Sequence, residues 1–158
     1  TSTSLIEMVQ YVLETIGPCH VIFSTWGVDP FDLQRLLALQ NAGMVLTSRW
    51  LLHLSLPSRA VECCDELLRH CKPDSVRCST ERQGVYFRNS QWNLTLFATM
   101  NLNYNRGLGS YDLIDDAEIL REVVEELLEP AFHKGLTVQA ARILDASRNL
   151  GTQGTFDF

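Results

Sequence analysis

Nowhere in its 158 residues does this chain carry an apolar run long enough to cross a bilayer. Its amino end lacks the basic region and hydrophobic segment of a signal peptide. The chain opens at Thr1, which reads as a piece excised from a longer protein and leaves the targeting of a parent open. Neither Gly-x-x-x-x-Gly-Lys-[Ser/Thr] nor Gly-x-Gly-x-x-Gly occurs, and Gly107-Leu-Gly109 alone does not make a nucleotide loop. A nucleophile elbow is absent too. The five cysteines (Cys19, Cys63, Cys64, Cys71, Cys78) never fall as Cys-x-x-Cys, and the four histidines (His20, His53, His70, His133) have no metal-ligand spacing. An odd cysteine count without secretory features predicts reduced structural thiols, a cytoplasmic location and no metal or other cofactor. No internal repeat or low-complexity tract interrupts the chain.

What is present suits one folded domain. Apolar residues make up 46% and charged residues 20%, enough for a hydrophobic core without staples. A single domain over residues 1–150 is expected, with a glycine-containing mobile tail over 151–158. The net charge of −6 has one source: seven acids stand between Asp115 and Glu129 against Arg121 alone, and the rest of the chain balances. Backbone binding to nucleic acid relies on clustered bases, so a general nucleic-acid binder is disfavoured while a local phosphate site is not.

The hydrophobic pattern predicts alternation of helix and strand. Leu5, Val9, Val12, Leu13 and Ile16 recur at helical spacing until Gly17-Pro18, and His20 to Thr25 reads as a buried strand. Asp29 caps a helix with Pro30 at its first position, Leu33, Leu36 and Leu37 form its stripe, and Gly43 ends it. Met44 to Thr47 reads as a second strand, which makes a right-handed parallel βαβ unit. Trp50 to Leu56 has no assignable period. Ser58 is expected to cap a helix from about Arg59 to Cys71, with Val61, Cys64, Leu67, Leu68 and Cys71 on its apolar face. Ser75 to Cys78 follows as a third strand. Gly84 to Asn89 and Trp92 to Ala98 predict an antiparallel pair turning at Asn89-Ser90-Gln91. Asp115 with Glu118 opens an acidic helix that Pro130 should end. A last helix from Thr137 to Arg148 is expected to bury Ala140, Ala141, Ile143 and Leu144.

The strand from Thr95 leads into Ala98-Thr-Met-Asn-Leu-Asn-Tyr-Asn-Arg106. That turn, with the order of elements around it, resembles the phospholipase D-like superfamily over about residues 19 to 128. In that family a strand bearing His-x-Lys precedes one ending in Gly-Ser-x-Asn, and a loop rich in asparagine and arginine follows. The resemblance sets Asn101 at the phosphate-contacting asparagine, Thr99 at the serine and Ala98 at the glycine, with Asn105 and Arg106 in the loop. It sets Arg82 at the histidine and Gly84 at the lysine. The glutamate expected near Gly109 is missing, and no histidine lies between His70 and His133.

The family attacks phosphorus with a histidine, passes through a phosphohistidine and protonates the leaving group with a second histidine. Arginine stays protonated and cannot serve as that nucleophile. The resemblance therefore implies an α/β fold, a mixed and mainly parallel sheet with helices on both faces, as in one phospholipase D-like half. It implies a non-catalytic module serving assembly or phosphate and nucleic-acid binding, from a bacterial or phage protein. Thr99, Asn101, Asn105, Arg106 and Arg82 are its candidate phosphate donors, and Arg88 is a further donor. Such halves pair, so a homodimer is expected, and the acidic helix offers a face to a basic protein partner. One alternative is a phosphodiesterase or nuclease subunit completed by another chain or by the missing part of its parent. The other is a structural protein-interaction domain.

Overall fold

A computed structural model of the chain describes residues 4–25, 27–79, 84–98 and 111–154. Six strands form one mixed sheet in the order β3-β2-β1-β4-β5-β6, with helices on both faces. The parallel part comprises β1 (Cys19–Thr25), β2 (Val45–His53) and β3 (Val76–Ser79). The rest, β4 (Gly84–Arg88), β5 (Asn93–Ala98) and β6 (Tyr111–Asp115), is antiparallel. Among the described residues no helix is long and apolar enough to cross a membrane.

Local chemistry explains most boundaries. Helix α1 (Leu5–Ile16) opens on a capping box in which Ser4 and Glu7 each accept from the other's backbone N–H. Helix α2 (Pro30–Asn41) starts from Asp29, whose carboxylate accepts from the Asp32 amide at 2.8 Å. It closes with Gly43 at φ 81°, where the Met44 amide reaches back to Leu39 and the Gly43 amide to Gln40. Only a residue without a β-carbon takes that left-handed position cheaply. The hairpin turn is built by Asn89: its Oδ1 accepts from the Gln91 and Trp92 amides, and its Nδ2 donates to the Ile16 carbonyl at 2.9 Å. One side chain thus ties the β4–β5 turn to the end of α1.

Several elements differ from the sequence pattern. Trp50, Leu51 and Leu52 prolong β2, because alternate residues find apolar partners on both sheet faces; Trp50 stacks on Phe23 with centroids 4.2 Å apart. The helix expected over Arg59–Cys71 is two pieces, α3 (Leu56–Arg59) and α4 (Val61–His70), broken at Ala60 with φ −127° and ψ 61°. The break turns Val61 and Leu68 outward and seats Cys63, Cys64 and Leu67 in the core. Asp116, not Asp115, caps α5 (Ala117–Glu122), since Asp115 is still paired in β6. Pro130 does not end the acidic helix. A π-helical stretch (Val123–Leu128) precedes it and α6 (Glu129–Lys134) carries on beyond it. Proline has no N–H to leave unpaired, so the change of hydrogen-bond register falls where a donor is missing anyway. Helix α7 runs from Val138 to Gly154, past Arg148, with Ile143 and Leu144 exposed and Val138 and Ala141 buried. Arg142 fixes that orientation, donating to the Pro57 and Val61 carbonyls and pairing with Asp65 at 2.9 Å.

Alternation along β1 decides the two cores. Cys19, Val21 and Phe23 face the larger one, under α1, α2, α3, α4 and α7. On the opposite face Ile22, Tyr86 and Leu51 meet Leu120, Leu128 and Phe132 of the acidic helix. That helix is therefore a layer of its own, held by a small cluster.

Candidate functional site

The five phosphate-binding candidates, Arg82, Thr99, Asn101, Asn105 and Arg106, lie outside the described residues. Their flanks do not. Gly84 at the start of β4 pairs with Phe97 near the end of β5, and Ser24 near the end of β1 pairs with Gly84. Both flanks therefore reach the sheet edge formed by the carboxyl end of β1. There the chain has gone to β2 on one side and later returns to β4 on the other, the switch point at which open α/β sheets commonly take ligands.

The described side chains at this end form a small polar group. Thr25 is buried and donates its hydroxyl to the Gly27 carbonyl at 2.8 Å. One residue beyond the Thr25–Leu52 pair lies His53, whose Nδ1 is 2.8 Å from the Ser55 hydroxyl. Arg59 also donates to that hydroxyl, at 3.0 Å. Burial first, and the Arg59 charge second, push the His53 imidazole toward its neutral form. Gly84, set by the resemblance at the family's lysine, is buried, and a β-carbon there would fall 2.6 Å from the Tyr86 hydroxyl. The phenol of Tyr86 occupies the space that a side chain would need.

Arg88 belongs to a different place, at the far end of β4. Register lines up Thr47, His20, Arg88 and Asn93 in one row across β2, β1, β4 and β5. Strand alternation turns the row toward the acidic helix, and between them lies a groove of about 500 Å³. His20 Nδ1 is 2.8 Å from the Thr47 hydroxyl. One row along, Arg49 pairs with Glu129 at 2.5 Å and lies 3.9 Å from the Phe132 ring centroid. Arg121 on the helix pairs with Glu125 at 3.1 Å. Sequence spacing could not have assembled this row, because the β1–β4 pairing that creates it joins residues far apart in the chain. The alternation of His20, Ile22 and Ser24 was the available signal.

The thiols have no reactive setting. Cys19, Cys63, Cys64 and Cys78 are buried and free, and burial pushes Cys64 up to about 12 and Cys78 to about 11. Among the described residues no group of three His, Cys, Asp or Glu side chains is placed to hold a metal ion. The acids of the helix that face away from the sheet, Glu118, Glu122 and Glu126 among them, are exposed. No family model matches this chain, and no curated protein matches it.

Proposed function

We propose that the chain is a non-catalytic phospholipase D-like module that binds a phosphodiester at the carboxyl end of its sheet. The observation that carries this reading is the Gly84–Phe97 pairing, which brings the flanks of the Arg82 segment and of the Thr99-to-Arg106 segment to one sheet edge. Arginine and asparagine are donors that suit the non-bridging oxygens of a phosphate. Gly84 supports the non-catalytic part, since the position carries no amine to neutralise a transferring phosphoryl group. Neither Arg82 nor Arg88 can act as nucleophile.

Titration of a fluorescently labelled oligonucleotide at low and moderate salt tests the reading. Saturable, salt-sensitive binding that Asn101→Ala weakens about tenfold is the expected result. Hydrolysis of the probe that Asn101→Ala abolishes would refute the non-catalytic assignment. Identical behaviour of the two proteins would refute the phosphate site.

A further inference from the structure

The groove beneath the acidic helix lies at the opposite end of β1 from Ser24, whose partner Gly84 flanks the loop candidates. Its floor is the row Thr47, His20, Arg88 and Asn93, continued by Ile22 and Tyr86 one row along. Leu120 and Val124 form the facing wall. One end is therefore rich in hydrogen-bond donors, while Ile22, Tyr86, Leu120 and Val124 give the remainder apolar surface between the ion-paired Arg49–Glu129 and Arg121–Glu125, and about 500 Å³ is within the usual size of small-ligand sites.

Charge selects the ligand. Three arginines and two glutamates line the groove. Arg49 and Arg121 are engaged by Glu129 and Glu125, whereas Arg88 makes no ion pair among the described residues. Among the described residues the uncompensated charge is thus positive, and it sits beside the His20 imidazole and the Thr47 hydroxyl. The His20–Thr47 hydrogen bond uses one of that pair's two donor protons, so Arg88 and the remaining donor together face the terminal oxygens of a phosphate monoester. A long polyanion is a poor fit, because Glu125 and Glu129 line the groove and further exposed acids stand on the same helix. The π-helical stretch also borders the groove through Val124 and Glu125, and such departures from the α-helical ladder recur at functional sites.

We propose that this groove binds a small phosphate monoester carried on an apolar body, the phosphate held by Arg88, His20 and Thr47 and the body lying between Tyr86 and Leu120. Phenyl phosphate is a suitable probe, titrated into the whole chain by calorimetry or by amide chemical-shift mapping. Saturation is expected, with shifts at His20, Thr47 and Arg88. Arg88→Ala should weaken binding by about tenfold or more, as loss of a charge-assisted pair does. Val124→Trp should weaken it as well by filling the apolar part, and it tests the site independently of Arg88. Shifts at His20, Thr47 and Arg88 without shifts at Gly84 and Phe97, at the other end of the strands, separate this groove from the loop site. Inorganic phosphate should bind more weakly than phenyl phosphate. Equal affinity for the two, unchanged binding in Arg88→Ala and Val124→Trp, or no saturable binding would overturn the proposal.

Discussion

At Asp32 the first turn of α2 buries a carboxylate completely, and neither oxygen has a hydrogen-bond partner among the described residues. Loss of solvent raises its pKa to about 6 from an ordinary 3.8, with the Asp29 charge adding to the rise and Arg35 opposing it. The folded chain therefore holds this proton more tightly than the unfolded chain does. Folding takes up a proton between pH 3.8 and about 6, so this group's contribution to stability falls as pH rises through that window. Above it the ionised group costs about 3 kcal/mol. Asp32→Asn should raise the urea midpoint at pH 7.5 and change it little at pH 4, and parallel pH dependence in both proteins would contradict this. Sequence pattern identified Asp29 as the cap of α2 correctly. It gave no sign that the acid three residues on points inward, because Asp32 in a first turn looks like one more favourable interaction with the helix dipole.

Among the elements, the acidic helix buries one edge of its broad apolar stripe. Leu120, Val124 and Leu128 form the inward stripe, whereas Leu127 is 42% exposed. A π-helical stretch adds residues to the turn, so a stripe extrapolated at the α-helical period drifts off the buried side. The helix end was misjudged for the same reason, since the tolerance of Pro130 depends on a register change that composition does not reveal. What fixes the layer is the small cluster around Phe132, over whose ring Arg49 stacks while paired with Glu129. The exposed ion pair contributes at most about 1 kcal/mol. Burial of the Phe132 ring contributes more: Phe132→Ala should cost about 3–4 kcal/mol. Hydrogen exchange should report the loss first at the amides of residues 117–134, ahead of the strands. Uniform loss of protection across the sheet would show instead that the helix is not a separable layer.

For the whole molecule, strand and helix order was readable because Gly17-Pro18, Asp29-Pro30 and Gly43 punctuate the first half strongly. Strand β6 was not read, since Tyr111 to Asp115 alternates weakly and carries two aspartates. The α/β architecture with helices on both faces follows from that order, and so does the parallel β1–β2 pair. Order alone could not say that β4 pairs with β1, and it is this pairing that makes the row of donors in the groove. The loop motif was readable as residues, but the place of its flanks needed the Gly84–Phe97 register.

The β1–β4 pairing has one more implication. Strands β1 to β3 come from the chain up to Ser79 and strands β4 to β6 from Gly84 onward, so one antiparallel ladder, His20–Arg88 to Ser24–Gly84, joins an amino-terminal half-sheet to a carboxyl-terminal one. Helix α7 then crosses back onto α3 and β3, and the Cys78–Leu136 bridge ties the far edge of the first half to the second. Each half thus displays an open ladder and an apolar face that only the other covers. Expressed as two separate pieces divided after Ser79, the protein should remain unfolded singly and reconstitute on mixing, with the dichroism of the intact chain. The molecule is, in effect, a heterodimer written on one strand of polypeptide.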